Sequence, residues 1–159
     1  VKTCNRLFSG VMMTAEKEVD SAGNHAKKMI GERLKSAQKL DYDWDFRFDA
    51  GSCVMFQSLW RLLSDTAIEV TSEDDGQKFG LKNPIDAAAQ LRETIGDKPI
   101  SDVRIDGVTS DLTIHFGQHL RLEVVGTSSG YEAWSLHAKG VQIIGRNGDT
   151  VVFPPPKST

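Results

Sequence analysis

The feature that most constrains the fold of this chain is an internal repeat. Residues 30–41, IGERLKSAQKLD, align without a gap with residues 95–106, IGDKPISDVRID; four positions are identical and four more keep charge or apolar character. After small insertions, LWRL at 59–62 matches AWSL at 133–136. A repeat of this kind predicts two copies of one structural unit, since such a unit rarely buries its apolar face alone. Chance similarity between strand-like segments is the alternative.

Each copy is predicted to begin with a helix. In the second copy, Asn83-Pro84 resembles an N-cap followed by proline at the first helical position, and Gly96 follows the last residue of an apolar stripe. In the first copy a helix is expected from near Thr14 until Gly31. Its amphipathic face is formed by residues three or four positions apart, namely Ala15, Val19, Ala22, Ala26 and Met29.

Alternating apolar and polar residues predict the strands. Residues 40–48, LDYDWDFRF, alternate throughout and predict one half-buried strand. In the second copy, the apolar residues of two consecutive strands share a face only if Phe116 lies opposite Leu120 across a three-residue loop. Shorter strands are expected at 54–56, 67–71, 141–144 and 150–153. Large core positions are assigned to Trp44, Trp60 and Trp134.

The predicted fold class is therefore α+β, with two tandem helix-plus-antiparallel-strand modules packed as one pseudo-twofold domain. Residues 14–80 and 81–153 form the two modules. Residues 1–13 are an N-terminal extension, and residues 154–159 are a proline-rich tail. Pairing of copy against copy would cover exposed sheet edges, so the protein is expected to be a monomer, or a homodimer through a remaining edge.

Charge is distributed unevenly along the chain. The net charge is −3, but residues 40–112 contain 15 acidic and 7 basic side chains, a formal charge of −8. An acidic middle segment repels phosphates and argues against nucleic acid as a partner. It suits a basic protein partner, although a solvated acidic face is the common alternative.

Several features predict a cytoplasmic protein that does not bind membranes. The apolar runs are too short to cross a bilayer. The first residues contain neither the apolar h-region nor the cleavage site of a signal peptide. Cys4 and Cys53 form no metal-binding spacing and are expected to be free thiols in a reducing compartment.

Comparison of the two copies selects one segment as a candidate binding loop. Phe48 and Trp60 are 12 positions apart, whereas Phe116 and Trp134 are 18 apart, so the second copy has about six extra residues, GTSSGY. Glycines and hydroxyl groups in a loop can bind a small anion or the backbone of a partner. The alternative is a β-bulge or a long hairpin. The candidate ligand-binding residues of this segment and the strand after it are Ser128, Ser129, Tyr131 and His137.

Other polar residues are weaker candidates. His115 lies in the same copy as His119 and His137, but the three lack the spacing of metal ligands. Asp43 and Asp45 alternate with Asp41 on one predicted strand face, where they could bind a cation or a partner, or could only be solvated. We predict no catalytic constellation, no metal and no cofactor.

The motifs W-x-F-x-F, WRLL, SEDDGQ and SSGYEAW resemble those of a family of small uncharacterised bacterial proteins with a C-terminal SSGYExW signature. The resemblance covers about residues 44–148. It implies a single-domain protein of a mobile element, a gene cassette or a toxin-associated locus, similar to immunity proteins. It implies no catalytic residue.

Together these observations predict a non-catalytic binding protein, immunity-like or an accessory of a mobile element, that uses its acidic segment against a basic partner. The alternative is an enzyme or a small-ligand receptor that uses the loop from Ser128 to Tyr131.

Overall fold

The computed structural model describes residues 15–146 and 149–154, with side chains from residue 21 onward. The predicted extension 1–13, Cys4, the turn at Gly148 and most of the predicted tail lie outside these residues. Within them the protein is a mixed α+β fold with two α-helices and eleven strands in two antiparallel sheets. The helices are α1 (Ala15–Ala26) and α2 (Ala87–Ile95), with 3-10 turns at Lys27–Met29 and Ser72–Asp74. The strands are β1 (Leu34–Leu40), β2 (Asp43–Phe48), β3 (Cys53–Phe56), β4 (Trp60–Leu63), β5 (Ile68–Thr71), β6 (Ile100–Ile105), β7 (Leu112–Phe116), β8 (Leu120–Val124), β9 (Trp134–Ala138), β10 (Val141–Arg146) and β11 (Asp149–Phe153).

Each sheet contains strands from both halves of the chain. The six-stranded sheet has the order β1-β2-β3-β9-β10-β11, and the five-stranded sheet has the order β5-β4-β8-β7-β6. The halves join where β3 pairs with β9 and where β4 pairs with β8. The segments 14–80 and 81–153 therefore do not form separate sheets. The first half contributes β1–β3 to the six-stranded sheet and β4–β5 to the five-stranded sheet, and the second half contributes the remaining strands of both.

The core lies between the two sheets and contains large aromatic side chains. Trp44 of the six-stranded sheet and Trp60 of the five-stranded sheet meet edge to face, with ring centroids 5.0 Å apart. Phe48 and Phe116 stack across the same interface. All three tryptophans are buried, which confirms their assignment to the core.

The two helices close the open sides of the layered sheets. Helix α1 packs against β6 and β11, the strands at one end of both sheet orders, and α2 packs against β1 and β5 at the other end. Ala22 and Ala26 of α1 and Met29 of the 3-10 turn that follows are buried, as the apolar stripe predicts. Because both helices pack at strand edges, the outward faces of the sheets stay available to solvent or to partners.

The loop between β7 and β8 confirms a prediction of register. Phe116 pairs with Leu120, and Gly117-Gln118-His119 connects the strands. In both strands the apolar residues are buried, and the polar residues that alternate with them are half-buried.

The single strand predicted at 40–48 is wrong. Leu40 pairs with Asp43 across a two-residue turn, and Asp41 has a positive φ of 53°. Aspartate tolerates this left-handed conformation better than most residues, so the chain reverses there. Tyr42 is consequently 84% exposed instead of inward. The alternating pattern does not reveal the turn, because Leu40 and Tyr42 continue the alternation of apolar and charged residues up to it.

The predicted start of the second helix is also wrong. The N-cap of α2 is Asp86, whose carboxylate accepts a hydrogen bond of 2.8 Å from the Ala89 backbone N–H. The Ile85 N–H donates a backbone hydrogen bond of 2.8 Å to the Gln77 carbonyl, outside the helix, so Asn83-Pro84 lies before the helix. Gly96 ends the helix as predicted. Among the described residues no helix has the length and apolar character needed to cross a membrane.

Candidate functional site

A groove on the outer face of the six-stranded sheet brings together three of the seven predicted site residues. Its volume is about 560 Å³, and its walls come from β2, β3, β9, β10 and the loop before β9. Asp43, Tyr131 and His137 line it. The other lining residues are Met55, Phe56, Gln57, Glu132, Ala133, Trp134, Ser135 and Gln142.

The floor of the groove follows from the register of three neighbouring strands. Met55 of β3 pairs with Ser135 of β9, and His137 of β9 pairs with Gln142 of β10. Alternate residues of a strand point to the same face of the sheet. These four side chains therefore lie side by side on the outward face. Gln142 also donates a hydrogen bond of 3.0 Å to the Ser135 hydroxyl.

The groove has an acidic lining. Asp43 and Glu132 contribute carboxylates, and His137 contributes an imidazole. None of the described residues that line it is Lys or Arg. At neutral pH the groove therefore favours a cationic group over an anion. This charge argues against the small anion that the loop sequence suggested.

The loop that overhangs the groove is anchored at its start. The Gly126 N–H donates a hydrogen bond of 2.7 Å to the Asp111 carboxylate. A Cβ at this glycine would lie 2.8 Å from the Thr109 carbonyl oxygen, so the close backbone approach requires glycine. Further along, the Ser128 hydroxyl oxygen accepts hydrogen bonds from the backbone N–H groups of Gly130 and Tyr131. Ser128 therefore shapes the turn that presents Tyr131.

Trp134 anchors the other end of the loop in the core. Its indole N–H donates a hydrogen bond to the Ser110 carbonyl at 2.6 Å. Its ring lies directly over Gly145, where an added Cβ would be 2.2 Å from the indole. The preceding Ala133 donates its N–H to the Gly145 carbonyl. Ala133, Trp134 and Leu136 are thus buried in the core, whereas Ser135 faces the groove, and the exposed part of the loop lies within residues 127–132.

A second hollow adjoins the groove on the far side of the same loop. It has a volume of about 230 Å³ and shares Tyr131 and Glu132 with the groove. The rest of its lining is formed by Gly130 and by outward residues of β10 and β11, namely Ile144, Arg146, Val151 and Phe153. Tyr131, which is 80% exposed, stands between the two concavities.

Asp45 is buried, and the expectation of an exposed carboxylate at this position is wrong. It accepts hydrogen bonds from Gln38 at 3.2 Å and from Arg47 at 2.8 Å. Its side chain is fully buried, because these neighbours and Met55 on the paired strand surround it. Its other oxygen, Oδ1, has no hydrogen-bond partner among the described residues. Asp45 supports the sheet near the groove but does not line it.

His115 lies on the opposite side of the molecule, on the outer face of the five-stranded sheet. Burial lowers its pKa below the ordinary value of 6.5, and the nearby Arg104 acts in the same direction. The surrounding face is a ladder of ion pairs. Arg61 and Arg121 both contact Glu123, at 2.7 and 2.9 Å. Such half-exposed ion pairs are solvated and contribute little to stability.

The thiol on the strand next to His137 is not activated. Cys53 lies opposite His137 on neighbouring strands, but burial raises the pKa of its thiol and the nearby Asp45 raises it further. The thiol therefore stays protonated near neutral pH and is a poor nucleophile. His119 contacts Asp65 on exposed loops, away from the groove. In the part of the chain that the structure describes, no three His, Cys, Asp or Glu side chains are placed to hold a metal ion.

Many carboxylates of the acidic segment have structural partners. Asp106 accepts hydrogen bonds from two backbone N–H groups and the hydroxyl of the turn at 107–109, which lowers its pKa. Asp74 and Asp75 accept backbone N–H bonds at 71 and 87, and Asp49 accepts one from Arg33. These groups are distributed over many elements. These carboxylates therefore also have a structural role, because each satisfies backbone N–H groups at a turn, a strand end or a helix end.

Sequence reasoning missed important groove residues. Met55, Glu132 and Gln142 line the groove, yet none is a sequence candidate: Glu132 lies within SSGYEAW but directly after the GTSSGY segment, and Met55 and Gln142 lie outside the motifs. The alternation of residues in β3 could have identified Met55, because Met55 lies between the inward-facing Val54 and Phe56 and must therefore face outward. The sequence does not reveal that β3 and β9 are neighbours, because residues far apart in the chain form this pairing.

Comparison with known proteins gives no relative for this chain: no protein-family model, no curated protein and no solved structure matches it.

Proposed function

We propose that this protein is a non-catalytic binding protein and that the groove under the Tyr131 loop binds a positively charged segment of a partner protein. The observation that carries the proposal is the acidic lining of a concavity of about 560 Å³ on an otherwise open sheet face. Asp43 and Glu132 supply its negative charge. Concavities of this size are typical of binding sites.

The two outer sheet faces differ, and the difference supports this choice of surface. On the five-stranded sheet, charged residues form ion pairs with one another. On the six-stranded sheet, Met55, Ile144 and Phe153 are half-buried or exposed apolar residues. Aromatic residues and methionine are enriched at protein interfaces, where charged residues are depleted.

A binding role agrees with the chemistry of the site better than catalysis does. Ser128 uses its hydroxyl oxygen to hold the loop, and the Cys53 thiol stays protonated. The basic partner expected from the acidic segment is retained, but its contact is now limited to the groove and the nearby turn at Asp41. The segment SSGYEAW, which carries the resemblance to small bacterial proteins, is the segment that overhangs the groove. A partner encoded at the same genetic locus, as for an immunity protein, is part of this proposal.

We also propose that the fold arose by duplication. We match the elements α1 to β5 in chain order with α2 to β10, so that β1 corresponds to β6, β2 to β7 and so on. Under this matching, the first five strands of the six-stranded sheet, β1-β2-β3-β9-β10, correspond to β6-β7-β8-β4-β5. That is the order of the five-stranded sheet read from its other edge. The same matching relates the contacts of α1 with β6 and β10 to those of α2 with β1 and β5. These correspondences support a pseudo-twofold arrangement of the two halves.

The strand register supports the same matching and corrects the sequence alignment by one residue. Leu34 pairs with Phe48 and Ile100 pairs with Phe116, and each pair is followed by a register shift. Matching Leu34 with Ile100 also relates Arg33 to Pro99, and these two form an isolated bridge with each other. Related residues meet in this way at a twofold axis. Superposing the halves of an experimental structure tests the proposal, which fails if the helices diverge when the strands overlay.

The binding proposal is tested by affinity capture from cells of the source organism with three versions of the protein. The groove variant Asp43→Asn/Glu132→Gln removes two negative charges from the lining. The control Glu93→Gln/Asp97→Asn removes two charges from exposed residues at the end of α2. We expect a basic partner that binds the wild type and the control, is lost with the groove variant, and dissociates as salt rises to about 0.5 M. A partner that the groove variant retains in full would contradict the proposal.

A further inference from the structure

Resting on the proposed groove, we propose that the partner segment is an extended peptide with two anchors. A Lys or Arg side chain enters the groove that Asp43 and Glu132 line. An apolar side chain, on the same side of the peptide, enters the second hollow over β10 and β11. Tyr131 contacts both anchors from between the two concavities.

The second hollow has the composition of an apolar subsite. Ile144 and Val151 pair across β10 and β11 and both are half-buried on the outward face. Phe153, 46% exposed, extends the same surface. The charge at its rim is already neutralised, because Arg146 forms an ion pair of 2.9 Å with Asp149. An aliphatic or aromatic side chain therefore gains more from burial here than a charged one does.

The wall between the two concavities is formed before binding. Ser128 holds the backbone N–H groups of Gly130 and Tyr131, and the hydrogen bond from Ala133 to Gly145 holds the end of the loop. A preformed wall lowers the entropic cost of association. Tyrosine is also among the residues that contribute most to binding energy at interfaces, because its ring buries a large area with little loss of freedom.

The arrangement fits a polypeptide better than a single small cation. Both concavities are open on one side, and they adjoin each other along the sheet face. Side chains on one side of an extended chain occur at every second residue. The two anchors are therefore expected two or four positions apart. Gln57, Ser135 and Gln142 provide hydrogen-bonding groups for the peptide backbone in the groove.

The test is a display selection in which random ten-residue peptides are enriched on the purified full-length protein. We expect enriched peptides to contain Lys or Arg together with an aliphatic or aromatic residue two or four positions away. Replacing that apolar residue by alanine should weaken binding to the wild type by about tenfold. The protein variants Phe153→Ser and Val151→Thr should weaken binding of the selected (parent) peptide by a similar factor. They should leave binding of the alanine-substituted peptide nearly unchanged. Leu81→Ser, which removes an exposed apolar residue from the loop before α2, is the control and should change neither.

The possible failures are distinguishable. Enriched peptides with cations but no apolar partner at even spacing would overturn the two-anchor inference and leave the cationic groove intact. Equal effects of Phe153→Ser and Val151→Thr on the parent and alanine peptides would also overturn it. Enriched peptides that lack Lys and Arg, or that bind Asp43→Asn/Glu132→Gln as well as the wild type, would overturn both this inference and the proposed function.

Discussion

At the scale of single residues, the contact between Trp134 and Gly145 determines whether the loop over the groove is held in place. The indole lies where any Cβ at position 145 would stand, and its N–H bonds to Ser110 in another loop. One ring thus joins β9, β10 and the turn before β7. The wall of the groove depends on this packing, because the exposed loop residues immediately precede Trp134.

Replacing Gly145 by alanine should therefore be strongly destabilising. A Cβ 2.2 Å from the indole forces the ring or the strand to move, and overpacking of this kind costs about 3 kcal/mol. Gly23→Ala is the matched control: it lies inside α1 with no atom within 4 Å of the added Cβ, and should stabilise by about 0.5–1 kcal/mol. Urea denaturation measures both. Equal stability of Gly145→Ala and the wild type would show that Trp134 does not pack over Gly145.

Residue patterns predicted part of the candidate site. Tyr131 and His137 lie at odd distances from the buried Trp134, so strand parity predicts that they face away from the core, and both are exposed. Asp45 was placed on the exposed face by the same parity, yet it is buried. Parity gives the face of a sheet but not what covers that face, and Asp45 is covered by its neighbours Gln38, Arg47 and Met55.

At the scale of elements, the capping of α2 provides a prediction that separates the structure from the sequence pattern. Asp86→Ala should lower the free energy of unfolding by about 1 kcal/mol, because the Ala89 N–H loses its acceptor. Asn83→Ala should change stability by less than about 0.5 kcal/mol, since Asn83 is exposed and precedes the helix. Thermal denaturation with both variants measures the difference. A larger effect at Asn83 than at Asp86 would place the start of the helix at the earlier residue.

Local patterns identified most elements, and they failed where tertiary structure decides. Period-two alternation correctly predicted β7 and β8 and the three-residue loop between them. The same signal extends the predicted β2 back to Leu40, because no glycine marks the turn at Asp41 and Tyr42. The patterns predict no strand at β1 or at β6. In β1, five of the seven residues are exposed or polar, so the apolar alternation is missing.

At the scale of the whole molecule, the exchange of strands between halves explains how the site arises. The groove needs β2 and β3 from the first half and β9 and β10 from the second. Neither half contains it alone. The sequence pattern does not predict this exchange of strands, because the pairing of β3 with β9 is a long-range contact. The loop before β9 adds Tyr131 and Glu132 to this sheet face.

The most direct test of the cationic groove is an NMR titration of the isotope-labelled protein with a hexalysine peptide at low salt. Asp43, Met55, Glu132 and His137 should show the largest chemical-shift changes, which should shrink as salt is added. Asp43→Asn/Glu132→Gln should abolish them, whereas Glu93→Gln/Asp97→Asn should preserve them. Thr113 and His115, on the opposite sheet face, should not respond. Shift changes that concentrate outside the groove, or that persist in the groove variant, would contradict the account.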